Sequence, residues 1–346
     1  MKDINKNLFK GINKIIADLT KEEKLSLLNR LKADVLGGIS KDVVSCPCCS
    51  DSNFKKDGNY KGVQKYKCRT TSKIFTYKSN SIISRVRDLD LFESLMDLMV
   101  GDKFPRLDDI EQKLGVSRKT AHDWRAKIMT SVFKHVKFDN QVIEFDETNF
   151  RLSRKGRQGM TYSRKRGKKL VGESKYNVKV FMTYSRTTGK LELFQSHMGR
   201  TSANDLDNHL GLNKGMVVYS DSHSAYISFF EKRNVMNGTF ISKNHISLLD
   251  KEVHNQTVNY YTKRLKNFID KELMGVSTKY LQGYLNWIMY IENAKKESVS
   301  IKDVVMENKV ALDIFKQKEK EFQYFLKVNG RNNYGTCRDR YYGNVA

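Results

Sequence analysis

The sequence predicts an α/β protein in which a mixed-sheet domain follows smaller, basic segments. From Gln141 onward, strand-like and helix-like stretches alternate, which is typical of an α/β domain. Before that point the pattern is helical, apart from a stretch in which four cysteines lie close together. With 346 residues, the chain is long enough for two or three domains.

Changes in composition divide the chain into five segments. We expect a helical lead at 1–40, a cysteine-rich domain of short strands at 41–80, a helical domain at 85–137, the α/β domain at 140–295 and a helical, basic tail at 296–346.

The order of elements within 140–295 is the main fold signal. The apolar pattern predicts strands at Gln141–Glu147, Tyr176–Tyr184, Lys190–Ser196, Met216–Ser220 and Thr239–Ser242, and helices at Ser202–Leu210, Ala225–Arg233, Asn255–Glu272 and Thr278–Asn293. Three strands followed by helix, strand, helix, strand and helix is the order of an RNase H-like domain.

The charge balance predicts a polyanionic partner. Lys and Arg number 63 against 39 Asp and Glu, which gives a net charge of +24 and a pI near 9.6. Nucleic acid is the first candidate and an anionic membrane surface the second. No apolar run of about 18 residues predicts a membrane span, and the N-terminus lacks the apolar stretch of a signal peptide. We therefore expect a cytoplasmic protein with reduced cysteines.

The cysteine-rich segment indicates a degenerate zinc ribbon. Cys46 and Cys49 have the C-x2-C spacing of a metal knuckle, and Cys68 follows 19 positions later. A second knuckle would place its fourth ligand at position 71, which is Thr71, and a hydroxyl is a poor zinc ligand. Cys48 lies inside the first turn, where its use would distort the knuckle. The sequence leaves two alternatives open: a zinc site at Cys46, Cys49 and Cys68, or a zinc-free remnant.

Residues 107–128 have the pattern of a helix-turn-helix. Gly115 marks a sharp turn, and Ser117 is a suitable N-cap for a second helix. That helix would expose four side chains suited to reading a DNA groove: Arg118, Lys119, His122 and Arg125. The alternative is an ordinary helical hairpin with a solvated basic face.

A basic arm follows the first strand of the α/β domain. Residues 151–169 contain nine Lys and Arg side chains and no acidic one. Such a run repels itself unless a polyanion compensates it, so we predict DNA contacts at Arg154, Lys155, Arg157, Arg164, Lys165 and Arg166. A solvated loop is the alternative.

Two aspartates follow apolar strands and are candidate metal ligands. Asp146 comes after the run that ends at Phe145, and Asp221 comes after Met216–Ser220. In a mixed sheet these strand ends can be neighbours, which would bring both carboxylates together. Paired Mg²⁺ ions held by carboxylates catalyse phosphoryl transfer on nucleic acids.

Four segments resemble the bacterial ISXO-like insertion-sequence transposases, and the resemblance extends over about residues 40–293. They are Phe145–Thr148, Tyr219–Tyr226, His254–Lys266 and Gly275–Leu285. The resemblance implies an Asp, Asp, Glu or Asn, Lys signature, which falls on Asp146, Asp221, Asn259 and Lys266. Asn259 departs from the acidic form and is similar to a recognised Asn branch.

The resemblance also implies an activity and its partners. We expect a transposase that binds the terminal inverted repeats of its insertion sequence and catalyses strand cleavage and transfer with Mg²⁺ or Mn²⁺. Its partners would be double-stranded DNA, at the transposon ends and at the target, and further copies of the chain. One alternative is an inactive, transposase-derived DNA-binding protein or regulator. Another is an RNA-binding or RNA-cleaving protein of the same fold.

Overall fold

The computed structural model describes most of the chain from residue 45 to residue 329. The described ranges are 45–60, 62–79, 81–101, 103–132, 141–156, 176–207, 215–240, 250–297 and 314–329, with single residues 20, 43, 136, 138, 212, 247, 301 and 305. The predicted helical lead at 1–40 therefore lies almost wholly outside the described residues. The described residues form two compact units, which divide between Arg87 and Asp88.

The first unit contains a small antiparallel sheet. Its strands are β1 (Phe54–Tyr60), β2 (Val63–Cys68) and β3 (Ile74–Phe75), in that spatial order. The rings of Phe54, Tyr66 and Phe75 pack against one another with centroids 5.4–5.8 Å apart. Buried Cys46 and Cys68 complete this core. Aromatic packing thus stabilises this sheet, because the segment that forms it is too short to build a large aliphatic core.

The second unit begins with three helices, α1 (Leu89–Val100), α2 (Leu107–Leu114) and α3 (Arg118–Ser131). The predicted turn between α2 and α3 is present: Gly115 ends α2 with φ +64°, a conformation that glycine adopts without strain. Ser117 caps α3 by accepting a hydrogen bond from the Thr120 N–H. The helix, glycine turn and helix predicted from the sequence are confirmed.

A five-stranded mixed sheet forms the centre of the second unit. Its strands are β4 (Val142–Arg151), β5 (Asn177–Ser185), β6 (Leu191–Met198), β7 (Val217–Asp221) and β8 (Met236–Phe240), in the spatial order β6-β5-β4-β7-β8. The β4 strand pairs antiparallel with β5 and parallel with β7. This arrangement is RNase H-like, as the element order predicts.

Two strand boundaries differ from the prediction. The β4 strand runs to Arg151 because its pairing with β5 continues to Arg151 and Asn177, past the point where the basic arm was expected to begin. Asp146 therefore lies in the middle of β4. The β8 strand starts at Met236 because its parallel pairing with β7 begins there, although the local sequence around Gly238 is a weak strand signal.

Helices cover the sheet. They are α4 (Ala203–Asp207), α5 (Ser224–Lys232), α6 (Gln256–Lys266), which continues as a π-helical segment at Asn267–Glu272, α7 (Thr278–Glu297) and α8 (Ile314–Val328). On one face of the sheet, Phe145, Phe181 and Val218 pack with Tyr226 and Phe230 of α5. Among the described helices, none is both long and apolar enough to cross a bilayer.

Candidate active site

The two faces of β4 place neighbouring acidic residues in different surroundings. Side chains alternate along a strand, so Glu144 and Asp146 share one face while Phe145 and Glu147 share the other. Glu144 accepts hydrogen bonds from α6, whereas the Phe145 ring lies 5.1 Å from that of Tyr226 in α5. Asp146 thus faces α6, the helix that carries the predicted residues Asn259 and Lys266.

The parallel pairing of β4 with β7 places Asp146 beside Asp221. The register joins Glu144 to Tyr219, and two further residues along each strand lead to Asp146 and Asp221. Burial raises the pKa of Asp146 to about 7; the hydrogen bond from the Glu147 N–H opposes this shift, and the charge of Asp221 adds to it. The two carboxylates therefore lie close enough for one charge to influence the other.

A relay of two asparagines connects α6 to Asp146. The Asn255 Nδ2 donates to Oδ2 of Asp146 at 3.2 Å, and the Asn259 Nδ2 donates to Oδ1 of Asn255 at 2.8 Å. The charge of Lys266, at the end of α6, lowers the pKa of Asp146 and so acts on the same carboxyl. Asn255 was not predicted from the sequence, although it precedes Asn259 by one helical turn.

The opposite face of β4 holds a self-contained polar cluster. The buried Lys179 ammonium and the Thr201 hydroxyl both donate to the carboxylate of Glu147, and the Tyr226 hydroxyl also bonds to it. Burial, followed by the charges of Glu147 and Asp146, raises the pKa of Tyr226 well above its usual value. Hydrogen-bond donors of the protein itself therefore satisfy the Glu147 carboxylate.

The residues around Asp146 fit a divalent cation. Two neighbouring carboxylates offer the hard oxygen ligands that Mg²⁺ and Mn²⁺ prefer. The raised pKa of Asp146 reflects burial near a like charge, and a cation would favour the ionised form.

Three cysteines of the first unit form a second possible metal site. The Sγ atoms of Cys46, Cys49 and Cys68 lie within 4.8 Å of one another, and those of Cys49 and Cys68 are 3.6 Å apart. The Thr71 hydroxyl and N–H lower the pKa of the Cys68 thiol to about 6, which favours the thiolate that binds metals. Cys48 is exposed and outside this group. Thr71, at the position where a second knuckle would have its ligand, lies beside the Cys68 thiol, and its N–H donates to Sγ at 3.4 Å.

The second helix of the helix-turn-helix presents only part of the predicted surface. The Arg118 side chain is exposed and pairs with Asp108, and Lys119 is exposed and pairs with Asp123 at 2.7 Å. His122 lies edge-on against the ring of Tyr280 in α7, at 5.2 Å. Burial lowers the pKa of His122, which disfavours the charged form of its ring.

Arg125 is not on the surface, and its predicted exposure is wrong. The side chain donates to the carbonyl of Pro105 at 3.0 Å and to the Tyr284 hydroxyl at 3.1 Å. Its guanidinium lies 5.3 Å from the centre of the Phe104 ring. Arg125 joins α3 to α7, and a residue held in this way is not available to DNA.

Two of the DNA contacts predicted in the basic arm, Lys155 and Arg154, are among the described residues, and both contact the protein itself. The Lys155 ammonium donates to the carbonyls of Leu273, Met274 and Gly275 at 2.7–3.0 Å, and so caps the segment after α6. The Arg154 guanidinium lies 5.9 Å from the Phe322 ring of α8. The other predicted contacts, Arg157, Arg164, Lys165 and Arg166, lie outside the described residues.

Comparison with known families identifies the region that contains this site. A family model described as the ISXO2-like transposase domain matches residues 140–293. Residues 140–293 are therefore similar to an ISXO2-like transposase domain. The matched residues contain Asp146, Asp221, Asn259 and Lys266, together with every strand of the mixed sheet.

Solved transposase structures show only a distant likeness to the chain. A pre-cleavage Mos1 transpososome is 8% identical, over 63% of this chain and 79% of that chain, with a TM-score of 0.20. A Mos1 strand transfer complex is 10% identical, over 69% and 78%, with a TM-score of 0.23. A Drosophila P element transposase strand transfer complex is 10% identical, over 70% and 69%, at 0.22. No curated protein matches the chain.

Proposed function

We propose that the transposase domain is catalytically active and that it cleaves and rejoins DNA with divalent metal ions held by Asp146, Asp221 and Asn259. The observation that supports this most directly is the adjacency of Asp146 and Asp221 across the β4–β7 pair. The asparagine relay from α6 to the same carboxylate supports it further.

Each residue has a defined task in this proposal. Asp146 and Asp221 supply carboxylate oxygens, and Asn259 supplies a neutral amide oxygen, which binds a cation more weakly than a third carboxylate would. When bound, the cations activate the attacking oxygen and offset negative charge on the phosphate. Lys266, which is exposed at the end of α6, adds positive charge beside the scissile phosphate or a flanking one.

The proposed reaction has two steps. A water molecule attacks the phosphorus at the transposon end; the bond from phosphorus to the 3′-oxygen breaks, and the element keeps a free 3′-hydroxyl. That hydroxyl then attacks a phosphodiester of the target DNA, and the new bond replaces the one from phosphorus to the target's own 3′-oxygen. The second step needs the transposon end and the target DNA at one place, and transposition brings both ends of the element together, so we expect the chain to act as a homo-oligomer.

The DNA-binding surface of this proposal is smaller than the sequence predicts. Arg118 and Lys119 remain exposed on α3 and can contact phosphates or bases. The net charge of +24 supports a strongly salt-dependent affinity for DNA. We place the protein in the cytoplasm, on the nucleoid when it is bound to DNA.

A zinc ion is a further part of the proposal. The thiols of Cys46, Cys49 and Cys68 are close enough to share one ion, and the remaining position of a tetrahedron would fall to Thr71 or to water. Metal analysis of the purified chain tests this: about one zinc per chain, lost in Cys49→Ser, is expected, and zinc-free protein would contradict it.

A strand-transfer assay tests the main proposal. Purified protein, end-sequence DNA and a target plasmid are incubated with Mg²⁺ or Mn²⁺, and we expect joined products that Asp146→Ala and Asp221→Ala abolish. Lys113→Ala, on the other side of the α2–α3 turn, is a surface control that should keep activity. Full activity in the two aspartate variants would refute the assignment. Specific binding to end DNA without any cleavage would favour an inactive DNA-binding protein.

A further inference from the structure

The α6 helix begins without a cap from its own N-terminal residue. Asn255 stands at the N-cap position, yet its side chain makes no capping hydrogen bond, and the first turn of α6 contains no acidic residue. Its amide is used elsewhere, on Asp146 and Asn259. The free N–H groups at the start of the helix therefore need another acceptor.

Glu144 supplies that acceptor from the neighbouring strand. Its Oε2 accepts from the N–H groups of Thr257 and Val258 at 2.9 and 3.1 Å, and its Oε1 accepts from the Thr257 hydroxyl at 3.0 Å. The side chain is fully buried. A carboxylate is also favourable at the positive end of a helix dipole.

Arg186 fixes the same carboxylate from the other side. Its Nε donates to Oε1 of Glu144 at 2.7 Å, and its remaining nitrogens donate to the carbonyls of Glu252 and His254, just before α6. The guanidinium lies over the Tyr219 ring of β7, with its carbon 4.6 Å from the ring centre. Glu144 and Arg186 thus connect β4, β7 and the start of α6.

We propose that Glu144 is a positioning residue: it holds the start of α6 on β4, so that Asn255 is free to orient Asp146 and Asn259. Glu144 and Asp146 lie two residues apart on one face of β4, so the strand that carries the metal-binding carboxylate also fixes the helix that carries its partners. The claim that Glu144 orients metal-binding residues rests on the proposed function. The claim that Glu144 holds the start of α6 on β4 does not.

The test compares Glu144→Gln with a matched variant. Gln has the size of Glu, but its NH2 group would replace one carboxylate oxygen. Each of these oxygens accepts two hydrogen bonds, so the two bonds to the replaced oxygen must be lost. Asn293→Ala is the control, because Asn293 of α7 bonds to the backbone N–H and carbonyl of Leu191 in β6, which is a similar helix-to-strand link away from α6.

Two measurements are made on both variants, and neither needs catalysis. Hydrogen exchange of the amides at 256–259 should accelerate at least about tenfold in Glu144→Gln and stay unchanged in Asn293→Ala. Mn²⁺ affinity, measured by titration of the DNA-free protein, should fall about 10- to 100-fold in Glu144→Gln and remain unchanged in Asn293→Ala, even if both variants lose similar thermal stability.

The outcomes separate this inference from the proposed function. Wild-type exchange or wild-type Mn²⁺ affinity in folded Glu144→Gln overturns the positioning role, whatever the activity. If Glu144→Gln does not fold, Arg186→Met is used instead, because it removes one of the four hydrogen-bond donors to Glu144. We then expect exchange at 256–259 to accelerate several-fold and Mn²⁺ affinity to fall several-fold. The absence of these two changes would overturn the inference. If the wild type neither binds Mn²⁺ nor cleaves DNA, the proposed function fails, and accelerated exchange in Glu144→Gln alone still supports the structural role.

Discussion

Asp146 and Glu147 are neighbours in the chain, yet the structure treats their carboxylates in opposite ways. Glu147 is surrounded by donors that the protein supplies, from Lys179, Thr201 and Tyr226. Asp146 receives one backbone N–H and one Asn255 amide, and burial raises its pKa. A carboxylate that the protein leaves incompletely compensated, such as Asp146, is therefore the better candidate for binding a cation.

The largest expected effect is a difference in strand-transfer rate between variants of Asp146 and variants of Glu147. Asp146→Asn should lower the rate of strand transfer about a thousandfold or more, since a lost metal ligand removes several kcal/mol of transition-state stabilisation. Glu147→Gln should keep at least about a tenth of the wild-type rate. Single-turnover kinetics on the same end DNA measures both, and equal losses would remove the distinction.

The next effect concerns stability on the Glu147 side. Lys179→Met leaves a buried carboxylate without its cation and should lower the free energy of unfolding by about 3–5 kcal/mol. The double variant Lys179→Met with Glu147→Gln should recover most of that loss because neither charge remains. Denaturant unfolding measures the series; a single variant as stable as the wild type would show that the ion pair is not needed.

A smaller effect is the pH dependence of stability on the Asp146 side. The folded-state pKa of about 7 lies above the ordinary 3.8, so the folded protein binds this proton more tightly than the unfolded chain does. In chelator, stability should therefore fall by about 2 kcal/mol between pH 5 and pH 7 and level off above pH 7. Asp146→Asn should lack this component. Parallel pH profiles of the two proteins would contradict the assignment.

The smallest effect removes one donor from Glu147. Tyr226→Phe deletes a hydroxyl that bonds to Glu147 and should cost about 1 kcal/mol of stability, since Lys179 and Thr201 remain. Mn²⁺ affinity should not change, because the hydroxyl lies on the face of β4 away from Asp146. A loss of Mn²⁺ affinity in Tyr226→Phe would mean that the two faces are coupled.

Local pattern predicted the elements well where apolar spacing was regular. The order of strands along the chain, the Gly115 turn and the Ser117 cap follow from short-range preferences that the sequence shows directly. The pattern was wrong for Arg125, because a basic residue on a predicted recognition helix was assumed to face solvent. That helix packs against α7, where the Tyr284 hydroxyl, 159 residues further along the chain, accepts one hydrogen bond from Arg125; the Pro105 carbonyl, which precedes α2, accepts another.

The site shows the same division between local and distant information. The sequence pointed to Asp146, Asp221, Asn259 and Lys266, partly through their resemblance to a family. It did not point to Asn255, Glu144 or Lys179, because the importance of each depends on a partner on another strand or helix. The basic run predicts a DNA contact at Lys155, yet the ammonium of this residue donates to three carbonyls after α6.

Residue type and spacing along the chain are enough to predict the α/β class, the order of strands and helices, the basic character and the cysteine knuckle. The polar contacts of Asp146 with Asn255, of Glu147 with Lys179 and of Glu144 with α6 depend instead on the folded chain. They form through sheet pairing and helix packing between distant segments, and the face of the strand or helix that a side chain occupies determines its partner.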